Sequence, residues 1–382
     1  MLGAALSSAQ EERARKLHTE SIIIDLVAQH IGGSNIFKDF PPELRDDLEH
    51  RLASANGWDA LIEAEYWPYQ MSLKGRSNLI RDWYIESGLT CGTYGIGVHD
   101  GHDATCLKLE AANRVFANLP WLRCVTTASE IRKAKKDAVV ALYAHWQPYI
   151  PAPRSLAPID VAYSKGLRSF MLTYNQMDSI GVGCTERVDA GLSMFGLDVI
   201  RHCNDIGMMV DVSHCGQSTT MDACRHSKKP VNANHTSALA LCGHARAKND
   251  EALKAIADTG GVIGVLAVPA FITTDREPRL DHMLDHIEYI ADLVGWQHVA
   301  IGTDWPMQAP LEVLRLSLEA NAESIGFRDE DRLDMSAKLQ GFDDGRDLPN
   351  ITRGLVSRGY SDQEIKGILG ENALRVFEAV CG

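Results

Sequence analysis

No stretch of this chain approaches the roughly 20 consecutive apolar residues that a transmembrane helix needs, so a membrane-spanning reading is not supported. The amino end, MLGAALSSAQEERARKLH, has only a short apolar run before it turns charged. A secretory signal needs a basic start and a longer apolar core. Basic charge is also scarce: 38 Lys and Arg against 51 Asp and Glu give −13, which disfavours nucleic acid and anionic membrane surfaces as partners. The nine cysteines are odd in number and include no CxxC pair. This argues against a disulfide framework or zinc knuckle and for a reducing compartment, so the expected location is cytoplasmic. Low-complexity segments, interdomain linkers and internal repeats are lacking too.

What is present is alternation. Apolar runs at 21–29, 90–99, 138–146, 167–175, 208–214, 230–236, 261–268 and 298–305 are mostly separated by amphipathic, helix-like stretches. Continuous apolar strands between helical patterns imply a parallel sheet covered by helices. Eight such units predict an α/β chain, a (β/α)8 TIM-type barrel forming a single domain over 1–382. Residues 38–85 read as an N-terminal insertion with some helix, rich in tryptophan (Trp58, Trp67, Trp83), and 347–380 as two extra C-terminal helices.

Active sites of such barrels assemble at the carboxyl ends of the strands. There the sequence places His145, His214, His235 and Asp304. Three neutral imidazoles suit zinc or a similar divalent metal and leave a position open for water. Asp304 is then the candidate general base. A lone histidine at a strand end is as readily a hydrogen-bonded structural residue.

The segments VDVSHCG, NANHTSALALCGHARAKNDEAL and IGTDW, with GLRSFMLTYN and the C-terminal GENALRVFEAV, resemble the membrane (renal) dipeptidase family over most of 138–380. The resemblance implies an α/β barrel, metal-dependent hydrolase ancestry and a homodimer. It implies that His214 and His235 hold the family's second metal, that Asp304 manages a catalytic proton, and that Arg246 contacts a substrate carboxylate. Arg246 reads equally well as a surface or helix-flanking residue.

The departures are as informative. The family's opening Asp-Gly-His-x-Asp aligns with Asp25-Leu26-Val27-Ala28-Gln29, where Val27 cannot ligate and Gln29 is a poor carboxylate substitute. The family's bridging glutamate is replaced by His145, and its histidine on the next strand by Tyr174, a phenol able to hydrogen-bond an oxyanion. These changes together suggest a mononuclear site of His145, His214 and His235, with zinc the first expectation and iron or copper the alternatives. Trp146, Trp305 and Tyr149 are candidates for an aromatic wall around a small-molecule substrate, or for barrel-end packing.

Other groups able to rebuild the lost site are Asp25, which also suits a hydrogen bond to a metal ligand, and the run His99, Asp100, His102, Asp103, which reads equally as a turn and helix start. His30 and Cys215 are expected to play no part. The sequence supports hydrolysis of an amide, peptide or related acyl bond. A redox or Lewis-acid lyase on the same ligands, and a non-catalytic binding barrel, are the other readings.

Overall fold

The computed structural model describes residues 6–28, 31–53, 57–96, 102–148, 154–334 and 336–382. Among them eight strands form one parallel sheet: β1 (Cys91–Ile96), β2 (Leu122–Cys124), β3 (Val140–Trp146), β4 (Leu167–Met171), β5 (Met209–Asp211), β6 (Val231–Thr236), β7 (Ile263–Val265) and β8 (Val299–Ile301). Pairing runs β1-β3-β4-β5-β6-β7-β8, with the short β2 beside the start of β3. The expected run at 21–29 contributes no full strand. Instead Ile24 bridges β1 and Asp25 bridges β8, both parallel, and this joins the two edges of the sheet into a ring. The Asp25 N–H donates to the Cys91 carbonyl (3.0 Å) and the Leu26 N–H to that of Ile301 (2.9 Å). The barrel is therefore seven strands plus one bridging segment, and β2 with its following helix, Ala128–Asp137, is an addition that apolar periodicity did not predict.

The strands are shorter than the apolar runs because their carboxyl ends turn out of the ladder early. Met209–Asp211 ends three residues before His214, and Val299–Ile301 three before Asp304. Inside the ring, Ile24, Leu26, Cys91, Ala141, Tyr143, Met209, Val262 and Ala300 pack together at the amino-terminal end. The C-terminal helix Asn372–Cys381 adds Phe377, edge-on to Tyr143 at 5.3 Å. A second, larger cluster lies between the strands' outer faces and the helices. Those helices have clear limits: Met194–Ile206 starts where the Ser193 side chain accepts the Gly196 N–H and stops at Gly207, whose φ of 78° suits glycine.

The insertion is helical, with Pro42–Leu52, Gly57–Leu73 and Leu79–Ser87, and buries Trp67 and Trp83. The C-terminal region carries helices Leu348–Ser357 and Asp362–Lys366, the latter running through a five-residue π-turn into Asn372–Cys381. None of the described helices is long and apolar enough to cross a membrane.

Candidate functional site

Two of the histidines meet. His214, in the loop after β5, and His235, in β6, bring their Nε2 atoms to 2.9 Å, with rings 4.9 Å apart. Asp304 follows β8 at φ 53°, and its Oδ2 is 3.8 Å from His235 Nε2. The Asp304 side chain keeps 15% exposure against none for His235, so it stands on the solvent side of the pair. Tyr174 stacks on His214 with ring centres 3.9 Å apart and planes at 21°. Burial and the Asp304 charge push its phenol well above the ordinary range, so it stays protonated and able to donate.

Burial, together with the Arg246 charge, holds both imidazoles well below the ordinary histidine value. They are therefore neutral at neutral pH. Asn175 fixes how His214 faces the pair. Its amide N–H donates to the Ile325 carbonyl (2.8 Å), which leaves Oδ1 as acceptor for His214 Nδ1 (2.7 Å). His214 thus carries its proton on Nδ1 and turns a lone pair on Nε2 toward His235. His235 Nδ1 is buried without a hydrogen-bond partner among the described residues. Two neutral imidazoles converging this closely can share one proton or hold a cation, and their nitrogens suit zinc, copper, iron and nickel. The pair offers a divalent metal two nitrogen donors.

The expected third ligand does not join them. Among the described residues no group of three or more His, Cys, Asp or Glu side chains is gathered so as to hold a metal ion. His145 Nδ1 lies 2.9 Å from Ser169 Oγ, and its Nε2 is 3.6 Å from Asp211 Oδ2. The reason is local: the β3–β4 register shifts between Ala144 and His145, and such an irregularity re-aims a side chain.

Arg246 also departs from expectation. It is fully buried, and its guanidinium donates to the Ser213 carbonyl (2.5 Å) and the His235 carbonyl (3.1 Å). It braces the main chain of both histidine segments, which a surface position does not describe; among the described residues its Nε has no hydrogen-bond partner. Lys248, equally buried, donates to the Cys215 carbonyl, and burial lowers its pKa. Trp146 and Trp305 are core residues, 2% and 5% exposed. Successive strand residues face opposite ways, so Trp146 points away from His145 and packs edge-on against Phe170 at 5.5 Å. Cys215 is buried, and burial raises its thiol pKa, as an inert residue requires.

Asp25 is engaged elsewhere. Oδ1 accepts the N–H groups of Thr303 (2.9 Å) and Val27 (3.1 Å), and Oδ2 the Thr303 hydroxyl (2.6 Å). Val27 in turn offers its carbonyl to the Asp304 N–H at 2.8 Å. The opening segment therefore positions the carboxylate of Asp304 through its neighbour. Gln29, His30, His99, Asp100 and Tyr149 lie outside the described residues, as do the side chains of His102 and Asp103; a helix begins at His102.

The sequence reading missed Asn175, Ser169, Asp211 and Asn234. A carboxylate inside the apolar strand MVD was the available signal, since a buried charge requires partners.

The profile of Membrane dipeptidase (Peptidase family M19) matches residues 11–314 and 329–381. The chain belongs to the membrane dipeptidase family. That family is one of metal-dependent hydrolases. Relatives include a Klebsiella pneumoniae protein described as "Uncharacterized protein in pqqA 5'region", 28% identical over 269 residues that cover 68% of this chain and 89% of that one. "Dipeptidase verJ" of Clonostachys rogersoniana is 30% identical over 221 residues, 57% of this chain and 50% of its own length. The crystal structure of an amidohydrolase from Pseudomonas aeruginosa superposes with a TM-score of 0.74 at 26% identity, covering 97% of this chain and 99% of that one. The crystal structure of the dipeptidase AC superposes with a TM-score of 0.66 at 18% identity, covering 95% of this chain and 100% of that one, so the fold is shared.

Proposed function

We propose that this protein hydrolyses an amide, peptide or related acyl bond of a small molecule at a single divalent ion, zinc being the expected element. The approach of His214 and His235 to 2.9 Å, with Asp304 at 3.8 Å from His235, carries this reading. Family membership and the relatives named as a dipeptidase and an amidohydrolase support it. A dipeptide itself is a poorer expectation than for the family at large, because Val27 and Gln29 stand where its first metal has ligands.

His214 and His235 would hold the ion. When bound, it supplies Lewis acidity that polarises an acyl carbonyl and makes water reactive near neutral pH. The chain's own groups do the rest. Asp304, the partly exposed carboxylate, takes a proton from the attacking water and passes it to the leaving group. Tyr174, kept protonated by burial and by Asp304, donates a hydrogen bond to the oxygen on which charge develops. Asn175 keeps the His214 lone pair turned inward. The cysteines, all free among the described residues, accord with a reducing, cytoplasmic setting, and a homodimer belongs to the same reading.

Elemental analysis of the purified protein beside His214→Ala and His235→Ala tests this. About one zinc per chain, lost in both variants along with hydrolysis of acyl-amide substrates, is the expected result. Iron or copper with oxygen-dependent turnover would replace hydrolysis by redox chemistry. No metal after chelator-free preparation and attempted reloading would leave a binding barrel.

A further inference from the structure

Beneath the histidine pair lies a buried polar chain that the proposed reaction does not use. The Asn234 side-chain amide donates to Ser169 Oγ at 3.0 Å, and the same oxygen is 2.9 Å from His145 Nδ1. A hydroxyl has one proton. The amide takes one lone pair of its oxygen, and the Asp211 carboxylate facing Nε2 favours the imidazole proton there, so Ser169 gives its own proton to Nδ1. A neutral imidazole that accepts at Nδ1 carries its own proton on Nε2. This N–H faces Asp211 Oδ2 across 3.6 Å, an electrostatic contact longer than a hydrogen bond; both atoms are buried, and among the described residues neither has a hydrogen-bond partner.

Asp211 holds more than His145. Its Oδ1 accepts the Ser213 N–H (3.0 Å), the Ser213 hydroxyl and the Asn234 N–H (2.9 Å). Ser213 Oγ accepts the His235 N–H at 3.0 Å. One carboxylate oxygen therefore fixes the residue before His214 and the residue before His235. Arg246 grips the carbonyls of Ser213 and His235 beside them. A buried carboxylate oxygen left without a donor costs stability and loosens whatever the other oxygen holds.

We propose that His145 is a positioning residue: its Nε2 side faces the Asp211 carboxylate at 3.6 Å and steadies it, and Asp211 sets the main chain that presents His214 and His235 to the metal. His145 is then not a ligand, although it occupies the position of a bridging ligand in the resembled family. The inference rests on the proposed metal site for what is being presented, and on Ser169 and Asn234 for the tautomer.

The test compares wild type, His145→Gln and His145→Phe by zinc content and by the visible spectrum of the cobalt(II)-loaded protein. Histidine ¹⁵N NMR of the metal-loaded wild type adds the tautomer. The Gln side chain can offer Asp211 an N–H and Phe cannot. The expected results are full metal and an unchanged cobalt spectrum in His145→Gln, and metal affinity about 10–100-fold weaker in His145→Phe. In the NMR spectrum, the signal missing from His145→Gln is that of an Nε2–H tautomer. Metal lost or a shifted cobalt spectrum in His145→Gln overturns the proposal, as does an Nδ1–H tautomer in wild type. If neither variant folds, the His145 ring signal is assigned in wild type by through-bond correlation to its own backbone, and the tautomer is still read. Wild type without metal would remove the proposed function alone, and the tautomer of the metal-free protein would still decide this one.

Discussion

Two arcs of the barrel rim use the same kinds of group to opposite ends. On the β5–β6 side, Asp211 and Arg246 act on the main chain, so the imidazoles of His214 and His235 keep nitrogens for one another. On the opposite arc, where the opening segment meets β8, Asp25 gives both carboxylate oxygens to Thr303 and Val27. Position 27 there is a valine. One arc holds donors open and the other closes them. Whether a rim can take a metal depends on the partners each group already has as much as on the donors it carries.

Asp304 joins the two arcs, and replacing it should give the largest effect. In Asp304→Asn, kcat is expected to fall about 10²–10⁴-fold, with metal content unchanged. Asn also tolerates the left-handed backbone found here, φ 53°. Equal loss of metal would instead make Asp304 a ligand and merge the arcs. Arg246→Met comes next. It removes a buried cation and strands two carbonyls, so unfolding free energy should drop by about 3–5 kcal/mol, measured by denaturant titration. A raised KM with unchanged stability would return Arg246 to substrate binding.

Asn175→Leu should free the tautomer of His214 and weaken metal binding about 10–100-fold, read by competition with a chromogenic chelator. Unchanged affinity would mean that the stacked Tyr174 alone orients the ring. The smallest effect belongs to the closed arc. Thr303→Val deletes one hydrogen bond to Asp25, and we expect a loss of about 1 kcal/mol in thermal unfolding and a fall in kcat without loss of metal. Metal loss there would show that the arcs are not separate.

The barrel was legible because buried parallel strands leave continuous apolar runs, and each strand but β2 lies within such a run, as does the bridging segment at 24–26. β2 is three residues long, too short to leave a period. Strand ends were overextended: apolar residues continue past the ladder at Leu172 and Leu266, where the chain has turned but remains buried. His214, His235 and Asp304 could be found because the apolar runs that carry their strands end at or beside them. For Trp146 the packing reading was the one to prefer, since alternation with His145 was visible in the sequence. The situation of His145 was out of reach, since it depends on Ser169, Asp211 and Asn234, each on a different strand. Arg246 hid for a similar reason, its two acceptors being backbone carbonyls that no side-chain pattern reveals.

The ring is closed at Ile24 and Asp25 by one bridge to each neighbour, where the other joints are ladders. Local openings of a fold begin where few backbone bonds must break together. This seam is held by isolated bridges, and it includes Val27, whose carbonyl anchors the Asp304 N–H. Breathing of the wall would thus be felt first as drift of the catalytic carboxylate, while the histidines on the far side stay in place. Slow amide exchange at Asp304 and high turnover would rise and fall together.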